Sequence, residues 1–240
     1  MSNIAEQNEN MNKINYFGFK GIFREVSFAL LNLLLLLISA GTLEWINAWV
    51  YAGFSVLFNI IGGAFLAKVN PQMLNERGKL IQGNTQSFDK VWVVSYILLV
   101  SIASCLAGLD AVRFEWSHMP LQLVIIAAII YVSANLLLLW AMAVNPHFET
   151  TVRIQEERNH QVCTSGPYKF VRHPGYAFFS AIIVSYSFIL GSWWGNIPTG
   201  MILILLVIRT ALEDKFLQKE LKGYKEYAQR TKYKLVPYVW

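Results

Sequence analysis

The most constraining feature of this sequence is the spacing of its charged residues, which leaves five long stretches without Asp, Glu, Lys or Arg. Four of these stretches contain 18, 23, 19 and 33 residues and follow Glu25, Glu44, Lys90 and Glu115, respectively. A helix that crosses a bilayer needs about 20 apolar residues, because the hydrocarbon core is about 30 Å thick. These stretches therefore predict four membrane-spanning helices, the fourth over about Leu121–Val144.

The fifth stretch lies between Arg172 and Arg209 and contains 36 residues, too many for one straight span at about 1.5 Å per residue. Its middle, Gly191–Pro198, combines glycine, serine, tryptophan and proline, which is typical of a turn at a membrane interface. We therefore predict a tight hairpin of two short helices, over Tyr176–Leu190 and Ile197–Ile208. The predicted fold class is all-α, a polytopic membrane protein with about six transmembrane helices, a short C-terminal helical hairpin and a cytoplasmic tail.

Composition supports a membrane protein, since only 15% of the residues are charged, whereas a soluble domain carries about 25%. With six spans, 19 of the 20 Lys and Arg residues lie on one side of the membrane and Arg113 lies on the other. The positive-inside rule makes that side cytoplasmic, together with both termini. Five spans would send the lysine-rich tail across the membrane. The polar segment Met1–Asn10 lacks the basic start of a signal peptide.

The sequence divides into a four-span membrane region, residues 1–144, and a C-terminal region, residues 145–240, where the distinctive polar residues collect. Its two cysteines, Cys105 and Cys163, offer neither a disulfide framework nor a metal-ligand spacing, so no metal site is predicted. The net charge of +5 comes with no base-reading module, and no nucleic-acid partner is expected. The basic, aromatic tail Leu217–Trp240 fits either a helix on the inner leaflet or a lid over a pocket.

The segment Asn145–Tyr176 is the most informative part of the C-terminal region, because Arg172 and His173 stand at the entrance to the fifth span. Pro174 suits the first turn of that helix, where its missing N–H costs nothing. The free backbone donors of this turn favour an anionic group. The alternative is that the basic pair only anchors the chain at the membrane interface.

A second polar cluster, Arg209-x-x-x-Glu213-Asp214, stands at the cytoplasmic end of the sixth span. Ionisable residues at the edge of a span are functional candidates. Arg209 and Glu213 also share a helix face, so that a simple helical ion pair is the alternative. If the last two helices form a hairpin, both polar clusters converge on one pocket at the cytoplasmic face.

Three blocks of the C-terminal region resemble a known family. They are Gly166-Pro167-Tyr168-x-x-Val171-Arg172-His173-Pro174-x-Tyr176, Arg209-x-x-x-Glu213-Asp214, and Gly223-Tyr224-x-x-Tyr227 with the later Leu235-Val236-Pro237. In this order they resemble the isoprenylcysteine carboxyl methyltransferase family, and the related phospholipid methyltransferases have a similar pattern of motifs. Asp214 stands where the family usually has a second glutamate, and Phe178 where it often has a small residue.

The resemblance implies an integral membrane enzyme that transfers a methyl group from S-adenosylmethionine without the soluble doubly wound methyltransferase domain. Consistent with this, the sequence contains no glycine-rich strand-to-helix loop of the kind that nucleotide-binding sheets need. The resemblance also implies which residues bind the cofactor. These are Val162, Gly166, Tyr168, Arg172, His173, Tyr176, Glu213 and Asp214.

The sequence leaves the methyl acceptor open between a carboxylate, a thiol and an amine of a small or lipid-like molecule. A carboxylate is already a nucleophile, and Arg209 or Arg153 would orient it through a bidentate contact. A thiol or an amine must lose a proton, and Glu213 or His173 would then act as the general base. Arg209, Glu213 and Arg153 are the predicted catalytic residues, and the lipid bilayer is an expected partner.

Two other functions remain open at this stage. An NADPH-dependent membrane reductase of the sterol-reductase type would place polar C-terminal motifs on a similar hairpin. A non-enzymatic transporter or scaffold is the second alternative, although the spans hold almost no ionisable residue that could line a transport path.

Overall fold

The computed structural model describes residues 13–79 and 85–240, so the predicted polar segment Met1–Asn10 lies outside the described residues. Within these two ranges the chain forms eight α-helices and no strand. They are α1 (Tyr16–Ala40), α2 (Ile46–Val69), α3 (Pro71–Gly78), α4 (Ser87–Gly108), α5 (Leu121–Val144), α6 (Pro174–Ile189), α7 (Asn196–Glu220) and α8 (Tyr224–Arg230). The predicted all-helical fold is confirmed for this part of the chain.

Four helices are long and apolar enough to cross a membrane: α1, α2, α5, and α4 together with the wider helical turn Leu109–Arg113 that continues it. They correspond to the four predicted spans, and α5 has the predicted bounds. Helix α6 has 16 residues, fewer than the roughly 20 that a span needs. The total of six spans therefore stays a prediction.

Local sequence signals explain several helix ends. The Asn15 side chain caps α1 by accepting hydrogen bonds from the backbone N–H groups of Phe17 and Gly18. Gly41 closes the same helix in the left-handed conformation, at a φ of 74°, which glycine adopts without steric cost. Helices α3 and α6 each begin with a proline, where the missing N–H leaves no hydrogen bond unmade.

Helices α6 and α7 pack against each other and are joined by residues 190–195, which gives the predicted hairpin. Helix α7 continues to Glu220, well past the predicted end of its span at Ile208. The charged residues beyond Ile208 do not end the helix, because Arg209 and Asp214 form ion pairs inside the protein. The charge pattern thus indicates where the helix becomes polar rather than where it stops.

The hairpin is tied to the first helices both by packing and by buried polar contacts. Helix α6 packs along α5, and α7 packs along α4. Within the bundle Asn32, Ser104 and Tyr186 form a closed triangle of hydrogen bonds of 2.7–3.0 Å. Because each polar atom of this triangle has a partner, the desolvation cost of burying it is offset.

The connecting segments gather at one end of the bundle. Arg153, in the segment after α5, contacts Glu76 of α3, and Arg172 donates to the backbone carbonyl of Thr231 in the tail. Asp89, at the start of α4, pairs with Arg209. These contacts place the polar C-terminal residues beside Glu76 and Asp89, on one side of the bundle as the six-span topology predicts. That this end faces the cytoplasm stays a prediction.

Candidate active site

The two polar clusters of the C-terminal region meet at this end of the hairpin. Arg172, just before α6, donates from Nε and Nη2 to the two carboxylate oxygens of Asp214 in α7, at 2.7 and 3.0 Å. Both side chains are buried, and the paired geometry matches the planar guanidinium to the planar carboxylate. The tight turn of the hairpin therefore brings together residues that are 42 positions apart.

A cleft with an empty volume of about 780 Å³ lies beside this ion pair, and we call it the polar cleft. Its lining includes seven residues that the sequence analysis selected: Arg153, Val162, Tyr168, Arg172, His173, Tyr176 and Glu213. The selected residues Gly166, Asp214 and Arg209 lie outside that lining. The structure thus brings most of the selected residues to one place, and their roles in binding and catalysis stay predictions.

His173 lies between two acidic side chains at the start of α6. Its Nε2 atom is 3.3 Å from both Asp214 Oδ1 and the Tyr224 hydroxyl, and its Nδ1 atom is 3.9 Å from Glu213 Oε1. The imidazole ring also stacks on Tyr176, with 5.8 Å between the ring centroids. These neighbours hold the imidazole in one orientation.

Asp214 is committed to contacts within the protein. Besides Arg172 and His173, it accepts hydrogen bonds from Tyr224 at 3.1 Å and Gln218 at 2.8 Å. Burial acts to raise the pKa of Asp214, but the hydrogen bonds from His173 and Arg172 prevail and lower it. A charged Asp214 thus positions the residues that line the cleft.

Glu213 is the acidic residue that faces the polar cleft from α7. Its Oε2 atom accepts a hydrogen bond from the Tyr176 hydroxyl, and 18% of its side chain is exposed. Among the described residues no lysine or arginine lies within ion-pair distance of this carboxylate. Glu213 therefore faces the cleft with a phenol and the His173 imidazole, rather than an arginine or a lysine, as its neighbours.

Arg209 does not form the ion pair with Glu213 that their spacing permits. Its Nε atom donates to Asp89 Oδ1 at 2.7 Å, and its Nη2 atom donates to the Thr150 carbonyl at 2.8 Å. The guanidinium also lies 4.9 Å from the centre of the Tyr176 ring. Asp89 is fully buried, and the sequence analysis missed it because a single acid 120 positions away forms no motif with Arg209.

Arg153 lines the polar cleft but is enclosed by three carboxylates. Its guanidinium contacts Glu149 and Glu157 at 2.6 Å and Glu76 at 3.3 Å. Burial raises the pKa of Glu149, and the hydrogen bond from Arg153 opposes that rise. Because these carboxylates occupy its donors, Arg153 is less suitable than Arg209 for orienting an acceptor.

Two stacked histidines line the polar cleft and were also missed by the sequence analysis. The rings of His147 and His160 lie 4.4 Å apart, and Gln155 contacts both. Burial, followed by the proximity of His147 and Arg153, lowers the pKa of His160 to about 4. Burial likewise lowers the pKa of His147. Both rings are therefore neutral near pH 7. In the sequence, the only signal for these histidines is that both lie in the polar segment after α5.

The C-terminal tail forms one wall of the polar cleft. The backbone N–H groups of Arg172 and His173 donate to the carbonyls of Tyr233 and Lys234, each at 2.9 Å. Tyr224 and Tyr227 of α8 line the cleft. The tail therefore resembles the predicted lid over a pocket more than the predicted helix on the inner leaflet.

A second, mainly apolar cavity of about 1080 Å³ adjoins the polar cleft, and we call it the apolar cavity. Its walls include Phe28, Trp92, Tyr96 and Phe179, and Arg209 lies in its lining. The two spaces share four lining residues: Phe148, Glu149, Gly175 and Tyr176. A polar compartment and an apolar compartment thus meet at the first turn of α6.

Comparison with known proteins points to one family of methyltransferases. Residues 125–219 match the model of the isoprenylcysteine carboxyl methyltransferase (ICMT) family. Over 192 residues the chain is 24% identical to proteins from Oryza sativa subsp. indica and Oryza sativa subsp. japonica, both named "Probable protein-S-isoprenylcysteine O-methyltransferase". Each alignment covers 77% of this chain and 93% of the rice protein.

The matched region contains the segment after α5, the hairpin and both polar clusters, which build most of the cleft. These similarities favour a transferase over the reductase and the transporter that the sequence alone left open. The resemblance read from the motifs is confirmed, and the chain is a multi-pass membrane methyltransferase similar to the isoprenylcysteine carboxyl methyltransferase family.

Proposed function

We propose that this methyltransferase takes its methyl group from S-adenosylmethionine held in the polar cleft and transfers it to a lipid-like acceptor held in the apolar cavity. The observation that carries the proposal is the shared wall of the two spaces at Gly175 and Tyr176. A water-soluble donor and a lipophilic acceptor need separate entrances and a common meeting point. The adjoining compartments offer both.

The residues of the polar cleft fit this donor. The carboxylate of Glu213 suits the ammonium group of the donor, and the face of Tyr168 suits its sulfonium through cation–π attraction of about 0.5–2 kcal/mol. His173, held between Glu213 and Asp214, also lines the cleft.

Gly175 keeps the shared wall thin. A Cβ atom at this position would lie 2.5 Å from Cε2 of Phe148, closer than atoms can approach. The absence of a side chain lets the Phe148 ring pack directly on the first turn of α6. That ring, like Tyr176, lines both spaces.

We infer that the acceptor is a carboxylate on an isoprenoid-like chain, as the names of the rice relatives suggest for those proteins. The aromatic and aliphatic walls of the apolar cavity suit such a chain, which would enter sideways from the bilayer. Arg209 lies in the same cavity with its Nη1 atom free of hydrogen bonds to the described residues. It is placed to orient the acceptor carboxylate, and no general base is then required.

The protein's contribution to the reaction is chiefly positional. Methyl transfer from a sulfonium is an in-line displacement in which charge disappears, so the donor supplies the reactive group when bound. Arg209 would hold the attacking oxygen, and Tyr176, fixed by its hydrogen bond to Glu213, would form the surface where the two molecules meet. The Phe148 ring lines both spaces at this junction.

The proposal is tested with purified full-length protein in lipid nanodiscs, methyl-labelled S-adenosylmethionine and N-acetyl-S-farnesylcysteine as the acceptor. We expect a base-labile methyl ester, and we expect Glu213→Gln to lower donor affinity at least about tenfold, the loss of one charge-assisted contact. Glu220→Gln, at the exposed end of the same helix, is the matched control. Undiminished transfer by Glu213→Gln contradicts the donor site, and a base-stable product points to a thiol or amine acceptor instead.

A further inference from the structure

A third cavity lies in the N-terminal half of the bundle, between α1, α2, α3 and α5, and we call it the N-terminal cavity. Its empty volume is about 810 Å³. It shares no lining residue with the polar cleft, so the proposed donor does not account for it. Glycines at positions 21, 62, 63 and 78 keep side chains out of this space.

The walls of this cavity carry polar side chains at membrane depth. Asn59 and Asn135 stand ten and nine residues, about 14 Å, from the ends of α2 and α5. Each amide donates from Nδ2 to the carbonyl four residues earlier, at 2.9 Å. Neither Oδ1 atom accepts a hydrogen bond from any residue that the structure describes. Polar groups in a span are costly and usually serve a function, so these two acceptors indicate a ligand with hydrogen-bond donors.

The mouth of the N-terminal cavity carries an unbalanced positive charge. Arg24 pairs with Glu25 at 3.2 Å and donates to the Gly78 carbonyl. The neighbouring Arg77 is half-buried, and its guanidinium forms no ion pair or hydrogen bond with a described residue. The guanidinium lies 5.7 Å from the centroid of the Phe148 ring. Burial lowers the pKa of Arg77, and the nearby Glu25 opposes this shift without preventing it.

We propose that the N-terminal cavity binds one anionic amphiphile that carries a hydrogen-bond donor beside its anion. The carboxylate or phosphate pairs with Arg77, and the adjacent N–H or O–H groups donate to Asn59 and Asn135. The apolar chain lies against the hydrophobic lining, which includes Phe58, Leu66 and Leu139. An acylated amino acid and a lysophospholipid with a glycerol headgroup share this chemistry.

The cavity meets the apolar cavity at Arg24, Glu25, Arg77 and Leu138, which line both spaces. An occupant of the N-terminal cavity would therefore neutralise the charge that faces the proposed acceptor. The site is nevertheless separate from donor binding. Failure of the present proposal leaves the methyl-transfer proposal intact, because the two are measured with different ligands at different residues.

Binding is measured by native mass spectrometry on delipidated, full-length protein with three single-chain probes. N-oleoylglycine tests the carboxylate, lysophosphatidylglycerol tests the phosphate, and zwitterionic lysophosphatidylcholine is the reference. We expect at least one anionic probe to bind about tenfold more tightly than the reference, the effect of one charge-assisted contact. Arg77→Gln should remove that preference. Equal binding of all three probes by the wild-type protein refutes the proposal.

A cavity-filling substitution locates the site. At Gly62 a new Cβ atom meets Leu139 at an ordinary 3.5 Å, so the rest of a leucine side chain would extend into the space. Gly62→Leu should abolish selective binding, whereas Gly53→Leu, at an open position on the same helix, should retain it. Equal binding by the two variants places the ligand elsewhere and overturns the assignment. Retained binding of S-adenosylhomocysteine serves as the check that each variant is folded.

Crosslinking on the wild-type protein keeps the proposal testable if Gly62→Leu does not fold. A diazirine on the chain of the anionic probe should label the inward-facing residues of α2 and α5 near Asn59 and Asn135. Labelling confined to lipid-facing residues such as Ile60 and Ile61 would mean that the probe binds the outer surface. That result refutes the proposal.

Discussion

The ion pair between Asp89 and Arg209 offers the sharpest test of how the site is built. Asp89 has no exposed surface, and the Arg209 side chain is 7% exposed. Removing one partner of such a pair leaves an uncompensated buried charge and costs about 3–5 kcal/mol. The Asp89→Asn variant should therefore lose about that much free energy of unfolding, measured by denaturant titration in mixed micelles.

The functional consequence separates positioning from general damage. Because Asp89 fixes the guanidinium that we propose orients the acceptor, Asp89→Asn should raise the KM for the acceptor. It should leave the affinity for S-adenosylhomocysteine within about twofold, a difference well below 1 kcal/mol, since Asp89 and Arg209 do not line the polar cleft. Isothermal titration and steady-state kinetics measure the two quantities independently.

A double substitution decides whether the buried charge is the cause. In Asp89→Asn/Arg209→Met the orphaned charge is gone, so the double variant should be more stable than Asp89→Asn alone, by coupling of about 0.5–3 kcal/mol. Glu220→Gln, which breaks an exposed ion pair on the same helix, should leave stability unchanged. If the stability losses of Asp89→Asn and Arg209→Met simply add, the reasoning fails.

Three further predictions follow from the same geometry. Gly175→Ala should displace the Phe148 ring and raise both KM values, whereas Gly200→Ala, at a position with nothing within 4 Å, should not; equal kinetics would contradict the thin wall. Arg172→Lys cannot reproduce the contacts to Asp214 and the tail carbonyls, so trypsin should cut near the C-terminus faster than in the wild type. The depressed pKa values of His147 and His160 mean that acid protonates the unfolded state first. The free energy of unfolding should fall as the pH drops from about 6.5 to about 4, and a flat profile would show that the rings are not buried as neutral groups.

The membrane-spanning helices could be predicted because lipid imposes a simple rule on sequence. A charged side chain in the hydrocarbon core is costly, so charge-free stretches mark the spans, and the bounds of Leu121–Val144 were obtained directly. The hairpin was predictable from turn residues between two short apolar stretches. The extension of α7 to Glu220 was not, because charges beyond the lipid can be buried in protein by partners that lie far away in sequence.

The site could be predicted only where its residues form local motifs. Arg172 and His173 precede a proline-initiated helix, and Glu213 follows a span at a fixed spacing, so both clusters stand out in the sequence. Asp89 and Glu76 carry no such pattern, since they meet Arg209 and Arg153 across 120 and 77 positions of the sequence, respectively. Pair spacing also misled in one case, because Arg209 and Glu213 share a helix face without forming an ion pair.

The partners of the acidic residues explain why we propose Glu213, rather than another acid, as the contact for the methyl donor. Asp89 is paired with Arg209, Asp214 with Arg172, and Glu149 with Arg153. Each of these pairs holds one part of the scaffold and leaves little charge for a ligand. Glu213 alone, among the described acidic residues that line the polar cleft, has a phenol rather than an arginine as its partner. A phenol and an imidazole leave this carboxylate without the guanidinium partner that the other acids have, which is why we propose it as the contact for the cationic methyl donor.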